Sequence, residues 1–145
     1  YWAPLFDRVG VLRFRVYNSL AWAASYLGVT IAMLTIAIGG VDMLFVALPI
    51  LALARVATGL GRSGGVIAWF IGHLHFAREH QTELYMGIHV GLTGLRALIM
   101  PFIGYQCSRV VGYGSFVVAL LLALTAHVLF RRLAATSAAS ARGPG

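Results

Sequence analysis

The sequence predicts an all-α membrane protein with four transmembrane helices, on three observations. Hydrophobic residues make up 60% of the 145 and charged residues only 10%, whereas soluble domains carry roughly 25% charged residues. The mean hydropathy is +0.86. Finally, residues 16–38 are uncharged and mostly apolar, lying between Arg8, Arg13 and Arg15 on one side and the Gly39–Asp42 turn on the other. As a helix this stretch rises about 34 Å, enough to cross a hydrocarbon core of about 30 Å. It is too long and too aromatic for a secretory signal, lacks a small-residue cleavage site, and is followed by further apolar segments.

The elements follow in order. Residues 1–15 are expected as a cytoplasmic loop and residues 16–132 as the four spans. After the first span, the second covers about 43–71 and exceeds the minimum needed to cross, so it must tilt, bend or project. The third, about 84–104, is expected to bend at Pro101, which removes a backbone donor and frees the carbonyl of Ala97. The fourth, about 111–130, stops at Arg131-Arg132. Residues 133–145, small, polar and ending in Gly and Pro, read as a disordered cytoplasmic tail. No internal repeat and no soluble domain interrupts the spans.

Arginine placement sets the orientation. The net charge of +7 comes from arginine alone, and in so apolar a chain basic charge reports loop orientation before it reports nucleic acid. The bilayer is the expected partner, and nucleic acid is not. Arg8, Arg13 and Arg15, Arg78, and Arg131, Arg132 and Arg142 fall on one side of four alternating spans, with only Arg109 opposite. Both termini are therefore expected in the cytoplasm, in a bacterial inner membrane or plasma membrane. The single cysteine, Cys107, allows no internal disulfide.

Arginine within a span is costly and normally faces a bundle interior or an aqueous cavity. Arg55, Arg62 and Arg96 qualify. Arg55 and Arg62 are seven residues apart, which places them within about 20° on one helix face. His89 and Arg96 repeat that spacing on the third span. One reading is a cationic cavity that attracts an anionic substrate or passes protons through His89. The other has Arg62 and Arg55 snorkelling to the interface and Arg96 bonding carbonyls freed by bending. Gly61-xxx-Gly65 and Gly87-xxx-Gly91 are small-xxx-small patterns that let helices approach closely, as static packing or as a sliding surface.

His73, His75 and His80 lie near Glu79 and Glu83, but His73 and His75 point about 200° apart on a helix and no metal motif is present, so no metal is expected. The letters G-x-G-x-x-G occur at Gly59–Gly64 after a membrane helix rather than a strand, which makes that match accidental. Nothing pairs a nucleophile with a base, so neither an enzyme nor a cofactor is expected.

Three stretches carry a resemblance. Leu5, Asp7, Arg8 and Gly10 match a cytoplasmic loop signature of the form G-x-L-x-D-R-x-G-R-[RK], with Ala3 in place of the opening glycine and Val11 and Leu12 in place of basic residues. The second span carries Arg55 followed by a glycine-rich run from Gly59 to Gly65, and the third reads G-x-R-x-x-x-x-P-x-x-G from Gly94 to Gly104. In this order the stretches resemble the last four transmembrane helices of the major facilitator superfamily. That resemblance implies a C-terminal fragment of a twelve-helix bundle, a secondary active transporter moving a small solute by alternating access, whose missing N-terminal helices are a partner. It further implies a gating loop of Asp7, Arg8, Gly10 and Arg13; the residue spacing itself makes Arg55, Arg62, His89 and Arg96 the candidate cavity or substrate path and Gly61, Gly65, Gly87, Gly91 and Pro101 the candidate packing or hinge positions. The substrate is not legible. The alternatives are a complete small four-helix membrane subunit or assembly factor, and a membrane enzyme using the loop histidines.

Overall fold

The computed structural model describes residues 2–70 and 82–140. Among them the chain is all-helical: α1 (Trp2–Gly39), a short 3-10 turn (Val41–Met43), α2 (Leu44–Phe70), α3 (Thr82–Val111) and α4 (Gly114–Ser140). All four long helices are long and apolar enough to cross a membrane.

The antiparallel pair α1–α2 forms the packed centre. On α1 the buried residues Val11, Asn18, Ser25 and Ala32 recur every seven residues; on α2 Ala47, Ala54, Gly61 and Ala68 do the same. A seven-residue repeat of small side chains gives two helices a continuous seam and lets their backbones approach closely. The contacts run in opposite directions along the pair. Arg15 Nη2 donates to the Ala68 carbonyl at 3.1 Å, Asn18 lies against Gly64, Ser25 and Thr58 hydroxyls meet at 2.6 Å, and Gly28 lies against Ala54. Thr58 gives its proton to the Ala54 carbonyl, so it accepts from Ser25. This bond sits in the middle of the seam, where an unpaired hydroxyl would be costly.

α4 packs on the other side of α1. Ser19 donates to the Val16 carbonyl, leaving its oxygen to accept from His127 Nδ1 at 2.9 Å. α3 touches α4, but its backbone nowhere comes within 8 Å of α1 or α2, Cα to Cα, among the described residues. The helices thus follow one another around a space in the order α2, α1, α4, α3, and the circuit is closed by side chains alone.

Three boundaries differ from the sequence expectation. Residues 2–15, expected as a loop, are helical apart from a break at Gly10, whose φ of 74° and ψ of 166° suit glycine. The break brings Trp2 and Phe6 edge-on to the fully buried Phe14, with ring centroids at 5.3 and 5.1 Å. Aromatic burial therefore holds this segment against the bundle. At the other end, α4 runs to Ser140 rather than stopping at Phe130; the alanines at 134, 135, 138 and 139 are the strongest helix formers. The third span is also longer, continuing through Pro101 to Val111, where Gly112, at φ 57°, ends it by donating its N–H to the Ser108 carbonyl.

Candidate functional site: an arginine-lined cavity

Between the helices lies a partly open cavity of about 750 Å³. Every turn that faces it can be traced to spacing. On α1, Arg15, Asn18, Trp22 and Tyr26 are three or four residues apart and so share a face. On α2, Arg62, Gly65, Val66 and Trp69 do the same. Thr93 and Arg96 come from α3, and α4 supplies small or apolar residues, among them Ala119, Ala123 and Ala126. Alanines on α4 keep that wall low, and glycines at 61, 64 and 65 bring α2 close to α1, so the open volume faces α3.

Charge in the cavity has one sign. Among the described residues its walls carry Arg15, Arg62 and Arg96 and no acidic side chain, and no ion pair forms among those residues. Guanidinium groups keep their charge at any physiological pH. In a low-dielectric bundle, unopposed cations set up a field several times stronger than they would in water.

The wall between α2 and α3 is a stack of side chains. Arg96 lies over the Trp69 indole, 4.9 Å from the ring centroid, and His89 approaches the same ring at 4.1 Å with a 54° tilt. His89 and Arg96 are two turns apart, but helix side chains lean toward the N-terminus, which brings the longer Arg96 down onto the same indole. On α1, Trp22 stacks with Tyr26 at 6.1 Å and 25°. The Trp22 ring also fills the space at Gly61, where an added Cβ would come within 3.1 Å of it.

The sequence-derived candidates separate into groups. Arg62 and Arg96 line the cavity and His89 stacks at its wall. Arg55 is exposed on α2 and is not among the lining residues: seven residues preserve its angle but carry it about 10.5 Å along the axis, beyond the cavity. Gly61 is in close contact with α1, and a Cβ at Gly65 would meet Asn18 at 3.7 Å. Apart from their own helix backbone, no atom of the described residues lies within 4 Å of where a Cβ would stand at Gly87 or Gly91. Asp7, Arg8 and Arg13 are exposed, and Asp7 pairs with no arginine among the described residues. His73, His75, Arg78, Glu79 and His80 lie outside the described residues. Among those described, no group of His, Cys, Asp and Glu could hold a metal ion.

Sequence reasoning missed Arg15, Asn18, Trp22, Tyr26 and Trp69. Their signal was present: a polar and aromatic stripe at helical spacing at one end of the first span, facing a similar stripe at the end of the second. No protein-family model, no curated protein and no solved structure matches the chain.

Proposed function

We propose that the chain belongs to a secondary active transporter that moves a small solute by alternating access, and that its four helices are the last four of a twelve-helix bundle of the major facilitator type. The observation that carries this reading is the arginine-lined cavity inside a bundle of otherwise apolar helices. Its volume falls in the range of about 300–1,000 Å³ usual for small-molecule sites, and helix bundles of transporters hold their sites in this way. Two further features support it. Arg55 stands exposed near the middle of α2, where lipid contact would be costly, so further protein or water is expected there. α3, which has no buried residue, offers a whole flank to other helices.

In this reading no covalent chemistry is performed. The solute enters from one side, is held by the arginines, and leaves when the helices rock about it. Both termini lie in the cytoplasm, and Asp7 and Arg8, before the Gly10 break, act in a cytoplasmic gate that closes in only one state. Arg55 also suits a four-helix subunit that docks on a partner, so the test must separate the two.

In a Cys107→Ser background, Gly65→Cys places one thiol in the cavity and Gly40→Cys one at the α1–α2 turn. A transporter is expected to expose residue 65 to membrane-impermeant thiol reagents from both faces, and residue 40 from the extracytoplasmic face only. Labelling of residue 65 from one face alone points to a static subunit, and cytoplasmic labelling of residue 40 overturns the topology.

For the gate, Asp7→Asn should slow turnover several-fold while changing equilibrium solute affinity less, because it removes a contact made in one state only. Loss of affinity with unchanged cycling would contradict the gate.

A further inference from the structure

The cavity's chemistry narrows what it can hold. An inorganic anion would answer the arginines but leave most of the wall uncovered, since the remaining lining is largely aromatic and aliphatic. A cation would meet three guanidinium groups and, among the described residues, no carboxylate. A neutral apolar molecule would offer Arg62 and Arg96 no acceptor, which is expensive inside a bundle, whereas Arg15 already donates to the Ala68 carbonyl. The occupant that satisfies both sets of groups carries an anionic head and a flat apolar body.

Resting on the transporter reading for its role as cargo, we propose that the cavity binds a soluble aromatic carboxylate. Arg62 and Arg96 hold the carboxylate, and the ring lies among Trp22, Tyr26 and Trp69. The three arginines are not equivalent. Arg15 is committed to the Ala68 carbonyl and Arg96 is fixed over Trp69, whereas Arg62 has no ion pair among the described residues. Arg62 is therefore the group with most to gain from a carboxylate, whose two oxygens match the guanidinium fork. The stacked Trp22–Tyr26 pair offers a rigid flat surface that favours a ring over a flexible acyl chain. Thr93, Asn18 and Ser19 add hydroxyl and amide groups to the lining where a lipid tail would need hydrocarbon. An anionic lipid headgroup shares the carboxylate's charge and is the competing source that the experiment must separate.

The test uses the full-length protein in nanodiscs of neutral phosphatidylcholine, titrated calorimetrically with 1-naphthoate. Three comparison ligands are the neutral 1-naphthalenemethanol, the cationic 1-naphthylmethylamine and acetate. Naphthoate is expected to bind at least about tenfold more tightly than any of them, the scale of one charge-assisted hydrogen-bonded pair. Arg62→Gln should remove that preference and Arg62→Lys should keep part of it. Trp69→Leu should weaken naphthoate while leaving the anion favoured over the alcohol. Equal binding of the neutral or cationic ligand overturns the proposal, a result that the unaltered protein gives without any variant. Displacement of naphthoate by phosphatidylglycerol added to the nanodiscs overturns it in favour of a lipid headgroup. The two readings fail separately: naphthoate binding with one-sided labelling at residue 65 removes transport only, whereas two-sided labelling without anion preference removes the ligand class only.

Discussion

Gly28→Leu is expected to drive α1 and α2 apart and to destabilise the bundle by about 1–3 kcal/mol or more, the usual cost of overpacking a tight contact. A Cβ at Gly28 would stand 2.8 Å from the Ala54 Cβ and 3.5 Å from its Cα. Neither atom can rotate away, because alanine has no side-chain torsion that moves its Cβ, so one whole helix must shift. The shift would break the Ser25–Thr58 bond one turn away and leave two hydroxyls poorly paired in the seam. Gly91→Leu is the matched control: it is the same substitution in a membrane helix, with no atom of another described helix within 4 Å of the new Cβ. Unfolding in mild detergent, followed by circular dichroism against added dodecyl sulfate, should place Gly28→Leu well below the unaltered protein and Gly91→Leu close to it. Equal midpoints for the two variants would show that the α1–α2 seam is not the stability-bearing contact.

That contrast also marks how far the sequence could be read. The number of membrane helices was legible because span length is set by the bilayer and needs no tertiary information. The closest helix approach was not found by searching for glycine pairs. Gly87 and Gly91 have the right spacing yet meet no other described helix, while the tight position pairs Gly28 with an alanine. What specifies the seam is the seven-residue recurrence of Ala47, Ala54, Gly61 and Ala68, a pattern visible in the letters but diluted by the many small residues around it. Likewise, equal angular spacing grouped Arg55 with Arg62, and only the position along the axis separates them. Helix ends were less legible still. Gly10 breaks α1 through its own φ and ψ, but the aromatic contacts that hold residues 2–9 against the bundle depend on how the chain folds back.

In the proposed transporter, Arg96→Leu should lower solute uptake by about tenfold or more while leaving the protein inserted and expressed. Arg96 is at the midpoint of α3, fourteen residues after Thr82 and fifteen before Val111, hence about 21 Å from either end. No arginine side chain reaches an interface from there, so its charge must be answered inside the protein. Among the described residues the answer is Trp69, whose indole lies beneath the guanidinium and supplies about 0.5–2 kcal/mol. Because the backbones of α2 and α3 stay more than 8 Å apart among the described residues, this contact and the neighbouring Trp69–His89 ring contact join the two helices across the cavity mouth. Leucine removes one of these two contacts and one of the cavity's cations. Lysine keeps the charge but has neither the planar face that stacks on indole nor the fork that grips a carboxylate, so it should restore uptake only in part. Trp69→Phe separates the two roles: it keeps a ring for Arg96 to lie over and all of the cavity charge, and should transport far better than Arg96→Leu. If instead Trp69→Phe and Arg96→Leu fail alike while Arg96→Lys is normal, the stack matters for helix closure and the guanidinium does not hold the solute. Normal uptake by Arg96→Leu at normal expression would remove Arg96 from the transport path altogether.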